Sequence, residues 1–92
     1  MEFGFEWDRA KAEGNLGKHG VAFEEARTAF EDPRSMTVPD PDHSAEEARF
    51  ILIGATTLHR IIVVVHALRG ENIRIISARL ATPSERRTRE EA

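Results

Sequence analysis

Along the chain, hydrophobic and polar positions change period several times, and each change marks an element. Phe3, Phe5 and Trp7 alternate with Gly4 and Glu6, a period of two that predicts a short opening strand with an aromatic face. Asp8 can cap a helix over 9–19, interrupted by Gly14 and Gly17 and ending near Gly20, which suits a left-handed C-terminal position. Phe23, Ala26, Arg27 and Phe30 then recur at i, i+3, i+4 and i+7, predicting a second helix with Phe23 and Phe30 on its core face. Glu24 and Glu25 stand in its first turn, where the helix dipole favours them, and Asp32-Pro33 closes it.

Residues 33–45 read as a Pro/Asp/Ser-rich connection, with a short strand over 36–38 and a turn at Asp40-Pro41-Asp42. Three β-branched, apolar stretches follow at 48–56, 60–68 and 73–79, separated by turns short enough for hairpins, which predicts an antiparallel meander. Thr82 or Ser84 can cap a last helix through Arg89, with Pro83 in its first turn. If both hairpins close with two-residue loops, Thr57-Leu58 and Gly70-Glu71, Arg49 lies opposite His66 and His66 opposite Ile75, on one face with Arg79 at its end. A three-residue first loop would break the Arg49 alignment, because one residue of slip moves every side chain to the other face.

Ninety-two residues, 40% of them hydrophobic, bound the answer to one domain over 1–92 with a modest core. The longest apolar runs, 51–53 and 61–65, fall far short of the roughly 20 residues that span a bilayer, so no membrane role is expected. Glu2, Glu6 and Asp8 stand where an export signal would be basic and then apolar, so a cytoplasmic protein is expected. Absence of cysteine removes disulfides, thiolate catalysis and Cys-based zinc sites together. Chemistry is left to His, Arg, Lys and carboxylates.

Charge is unevenly spread. Residues 1–48 hold five Lys/Arg against twelve Asp/Glu, whereas 49–79 hold Arg49, Arg60, Arg69, Arg74 and Arg79 against Glu71 alone. Eleven of the thirteen bases are Arg, whose planar fork binds phosphate or carboxylate bidentately. Lys18-His19-Gly20 sets a cation and an imidazole side by side before a glycine turn, suitable for phosphate contact and proton transfer, or simply a basic helix end. Glu47, Arg49, His66 and Arg79 place an acid, two guanidinium groups and an imidazole on strands, although an edge ion pair and a hydrogen-bonded core histidine would account for them equally well. Arg86, Arg87 and Arg89 form a basic helix end that could bind RNA or pair with Glu85 and Glu90. His19, His43, His59 and His66 show no metal-ligand spacing, and no glycine-rich phosphate loop occurs, so neither metal nor cofactor is expected.

In order, Phe5-Glu6-Trp7-Asp8, Asn15-Leu16-Gly17-Lys18-His19-Gly20-Val21, Phe23 with Glu25-Ala26 and Phe30, Glu47-Ala48-Arg49, Gly54, Val64-Val65-His66, and 73–82 with Glu85-Arg86 form a string. It closely resembles the BrnT family of toxins from about Phe3 to Arg87, most specifically in Lys18-His19-Gly20-Val21 and Arg74-Ile75-Ile76-Ser77-Ala78-Arg79. The resemblance implies an α+β, RelE-like fold and a ribonuclease that arrests growth by cutting RNA. It also implies a BrnA-like antitoxin carrying a ribbon-helix-helix domain, through which alone the complex would meet DNA. Lys18, His19, Arg49 and Arg79 sit at motif positions. The family often follows Glu-Arg-Arg with a tyrosine two residues later, whereas Thr88 follows Arg87 here and the chain has no tyrosine.

Metal-free cleavage by an attacking 2′-hydroxyl needs a base, cations on the phosphorane and an acid for the leaving 5′-oxygen. Arg49 and Arg79 are the expected phosphate clamp, Glu47 or His19 the base, His66 or Lys18 the group near the leaving oxygen, and Arg74, Arg86 and Arg87 further RNA contacts. The alternative is a non-catalytic corepressor or scaffold for the DNA-binding partner.

Overall fold

The computed structural model describes residues 4–42 and 47–91; Phe3, the expected start of the first strand, lies outside them. The strands are β1 (Gly4–Glu6), β2 (Met36–Pro39), β3 (Arg49–Ala55), β4 (Ile61–Arg69) and β5 (Asn72–Leu80). The helices are α1 (Arg9–His19), α2 (Phe23–Thr28), which runs on into a 3-10 turn over Ala29–Glu31, and α3 (Pro83–Glu90). All five strands form one sheet in the order β1-β5-β4-β3-β2. The fold is therefore α+β.

Strands β2 to β5 pair antiparallel, but β1 joins the edge of β5 in parallel, so the sheet is mixed rather than a pure antiparallel meander. The hairpins fix their own direction by their short turns. No such turn constrains β1, which is placed by packing: Phe5 pairs with Ile73 and meets the Phe30 ring edge-on at 5.2 Å.

Local chemistry accounts for the helix ends. The Asp8 side chain accepts from Lys11 N–H at 2.9 Å at the start of α1, and Gly20, at φ +70°, closes it with its N–H on Leu16 O. At α3, Thr82 accepts from Glu85 N–H while the Glu85 carboxylate accepts from Thr82 N–H, a complete capping box, with Pro83 in the first turn. The segment around α2 supplies the packing: Val21 before it, Phe23 and Ala26 within it and Ala29 in the 3-10 turn are buried against Leu52, Ile62, Val64, Ile75 and Ala78 on one face of the sheet. Burial of Phe23 alone contributes about 2 to 3 kcal/mol.

Two single-residue displacements decide which side chains share a face. The first hairpin closes on Thr56 N–H to Arg60 O at 2.8 Å, leaving three loop residues with His59 left-handed at φ +63°. Arg49 therefore pairs with Ala67, and Phe50, not Arg49, lies opposite His66. The second hairpin has the expected two-residue turn, Gly70 at φ +59° supplying its left-handed position, and His66 pairs with Ile75. Between Val65 and His66 a bulge inserts Ile76, so Val65 pairs with Ser77 and Val63 with Arg79. Loop and bulge together move Arg49 and Arg79 off the face of His66, and both by the same parity.

Candidate functional site

The face opposite the helical core carries Arg49 and Arg74, which flank Ala67 across three strands, Arg69 at the end of β4, and Arg79 opposite Val63. Each of these guanidinium groups meets a carboxylate. Arg49 Nε lies 3.4 Å and Arg69 Nε 3.8 Å from the Glu47 carboxylate; Arg74 Nη1 donates to Glu6 at 3.1 Å; Arg79 meets Glu85 at 2.8 and 2.9 Å. Hydrogen bonds from Asn72 and Arg74 hold the Glu6 carboxyl below its ordinary range. Bonds from Arg79, and secondarily from Thr82, bring Glu85 down to about 2. With four cations against three anions, the patch is far less positive than its arginines alone would make it.

The patch has two ends. Four residue steps along β4, from Val63 to Ala67, separate the Arg79 row from the row of Arg49 and Arg74, roughly 13 Å along the strand. Arg49 and Arg79 thus share a face but stand at its two ends, each against its own carboxylate, rather than side by side. Glu47 belongs to the Arg49 end.

Lys18 and His19 belong to the Arg79 end. The Asn15 amide, on α1, takes the place of a strand neighbour at the edge of β5: its nitrogen donates to Ala78 O at 2.8 Å and to Val21 O at 2.9 Å, and its oxygen accepts from Ala78 N–H at 3.0 Å. Lys18 and His19 follow Asn15 by three and four residues, one turn further along α1, whose end is tied through Gly20 O to Arg60, next to the Ile61–Ala81 bond that follows β5. Lys18 is exposed and His19 half-buried.

His66 is elsewhere. It is 4% exposed on the core face, edge-on to Phe30 at 4.8 Å and stacked on Phe50 at 5.9 Å. The expected grouping of His66 with Arg49 and Arg79 is corrected by the register: loop and bulge leave it on the opposite side of the sheet. Burial pushes its pKa below the ordinary 6.5, only partly offset by the Val64 carbonyl near Nδ1. The unfolded chain consequently binds a proton that the native state refuses. Thermal stability should be complete above pH 6.5 and fall as pH drops below it, by at most about 1.4 kcal/mol per pH unit from this group. Melting curves between pH 8 and 5 of the protein and of His66→Phe would check this; equal pH dependence in both would refute it.

Arg86 and Arg87 are exposed on α3 and form no ion pair among the described residues, whereas Arg89 is taken up by Asp32, Nε donating at 2.7 Å and Nη2 at 3.1 Å. That bond, with the Ala55 and Arg34 N–H groups, holds the Asp32 carboxyl far below its ordinary range. Thr88 donates to Ser84 O at 3.1 Å within its own helix. Sequence reasoning missed Arg69, Glu6, Glu85 and Asn15. Glu85 was within reach, three residues after Thr82 as a capping box requires, and Arg69 shares the parity of Ala67; the Asn15 tie to Ala78 has no local signal. Among the described residues no three His, Asp or Glu side chains come together as metal ligands, and no helix is long and apolar enough to cross a membrane.

The model of a family described as the ribonuclease toxin BrnT of type II toxin–antitoxin systems matches residues 7–85. The chain is also similar to the Brucella abortus ribonuclease toxin BrnT, whose crystal structure was solved at 1.1 Å, with 25% identity and a TM-score of 0.69 over 88% of this chain and 99% of that one. Comparison with curated proteins gives no match.

Proposed function

The chain belongs to the BrnT family of ribonuclease toxins of type II toxin–antitoxin systems, and from that premise we propose that it cleaves RNA without a metal at the Arg79 end of the arginine-bearing sheet face. The family accounts for the endoribonuclease activity and for an antitoxin partner. What supports the siting is that Asn15 bonds Ala78, the neighbour of Arg79, and that Gly20, directly after Lys18-His19, accepts from Arg60 near the end of β5. Arg79 binds the scissile phosphate. His19 takes the 2′-hydroxyl proton as its oxygen attacks phosphorus, giving a 2′,3′-cyclic phosphate, and Lys18 gives a proton to the departing 5′-oxygen. Arg49, Arg69 and Arg74 bind phosphates further along the strand, Arg86 and Arg87 extend that track along α3, and Glu47 orients Arg49 rather than acting as the base. His66 takes no part.

The fold is of the RelE-like kind, the protein acts in the cytoplasm, and its partner is a BrnA-like antitoxin with a ribbon-helix-helix domain. DNA is reached only through that partner. An antitoxin segment covers the face and α3 and excludes RNA, its acidic groups taking the arginine donors that Glu6, Glu47 and Glu85 leave open. The non-catalytic corepressor reading draws on the missing tyrosine, since Arg89, two residues after Arg87, is taken up by Asp32 and the neighbouring Thr88 hydroxyl is engaged within α3. One experiment separates the two: the purified protein should cleave RNA in excess EDTA, and a co-expressed partner should suppress that cleavage and shift the mass of the complex. Activity lost in EDTA and restored by a divalent ion would sink the metal-free mechanism; no cleavage under any condition would favour the scaffold.

A further inference from the structure

Among the described residues three arginines grip carboxylates bidentately, and they do not use the same edge of the guanidinium. Arg60 holds Glu25, and Arg89 holds Asp32, through Nε and Nη2, the side edge. Arg79 meets Glu85 end-on: Nη1 donates to Oε1 at 2.8 Å and Nη2 to Oε2 at 2.9 Å, while Nη1 also donates to Leu80 O at 3.3 Å. Its Nε–H and the second Nη2–H have no partner among the described residues, and its side chain is 44% exposed. Two parallel donors on one edge are the arrangement that matches two phosphate oxygens.

Glu85 is itself held. Its Oε1 accepts from Thr82 N–H at 2.9 Å, and its own N–H donates to the Thr82 hydroxyl at 3.2 Å. No residue of α3 is buried, and besides this pair the helix is tied down at its far end by Arg89 on Asp32 and by Arg34, which donates to Glu90 O at 2.8 Å.

We propose that Glu85 is a positioning residue for phosphate recognition: it clamps Arg79 by the end edge and thereby keeps the side edge, Nε and Nη2, open as a preformed bidentate receptor for an RNA phosphate. The inference rests on the ribonuclease role of Arg79 proposed above. Carboxylate and phosphate occupy different edges, so they do not compete for the same donors. The gain is orientation: a free arginine side chain must lose rotamer freedom when it meets RNA, and a clamped one has lost it already.

Single-turnover cleavage of an RNA oligonucleotide by the full chain, Glu85→Gln, Arg79→Ala and the double variant tests this. Gln at the third helical position keeps the capping box but offers Arg79 a single acceptor, so the helix stays and the clamp goes. Glu85→Gln should slow cleavage about tenfold with little change in melting temperature, and should cost nothing further in the Arg79→Ala background. Arg79→Lys, which keeps the charge but has no second edge, should stay as slow as Arg79→Ala. Cleavage by Glu85→Gln at or above the normal rate would overturn the proposal by making Glu85 a competitor of phosphate; an equal loss in both backgrounds would overturn it by making its role structural. If Arg79→Ala cleaves normally, the ribonuclease role of Arg79 fails and the inference fails with it.

Discussion

Arg79→Ala is expected to lower RNA cleavage about 10²- to 10³-fold while the protein stays folded, the scale seen when one donor to a developing oxyanion is removed. Loss of activity follows because no neighbour can substitute: Arg49 and Arg74 stand four residues of β4 away, and Arg60 is occupied by Glu25 and Gly20 O. Preservation of the fold follows because the Arg79–Glu85 pair is partly open to solvent, where such pairs contribute about 0 to 1 kcal/mol, and α3 keeps its second tie through Arg89. Circular dichroism and a melting curve beside the cleavage assay decide it. A variant that unfolds would make Arg79 structural, and one that cleaves normally would move the reaction elsewhere on the face.

The largest effect on stability is expected at Asn15. Its side chain is 8% exposed and satisfies three backbone groups, Val21 O, Ala78 O and Ala78 N–H. Asn15→Ala strands all three, each unsatisfied group costing about 1 kcal/mol or more, for a total on the order of 3 kcal/mol. In a chain of this size that is a fall of more than about 10 °C in melting temperature. Asn15→Asp should be at least as damaging, since a carboxylate can accept from Ala78 N–H but faces two carbonyl oxygens with no donor. A loss of only a degree or two in either variant would show that the edge of β5 is sealed by other means. Because the same amide ties α1 to β5 one turn before Lys18 and His19, any folded Asn15 variant should also cleave RNA more slowly.

Much of this protein could be read locally. Asp8, Gly20, Asp32 and Thr82-Pro83 mark helix ends because caps act over three or four residues, and the β-branched, apolar runs of β3, β4 and β5 report strands because such side chains suit a pleated, buried surface. The arginine-rich second half and the two motif blocks around Lys18-His19 and Arg74–Arg79 were legible as candidate chemistry for the same reason: they are properties of short segments. What stayed hidden was which of those segments meet.

That was decided by single residues whose effect is felt only across strands. The left-handed His59 makes the first turn three residues long, and the bulge at Ile76 shifts β5 by one; each reverses a parity, so Arg49 and Arg79 leave the face of His66 together and His66 becomes a core side chain beside Phe30 and Phe50. The parallel docking of β1, the Asn15 bridge to Ala78 and the end-on grip of Glu85 on Arg79 join positions 6 to 68 residues apart, a range over which no local period carries information. The sequence by itself determined the elements, their caps and the chemistry they carry, because these depend on near neighbours. Only the tertiary structure decided which face each side chain occupies and which arginine edge is open, because register and packing are set by contacts the chain makes with its distant parts.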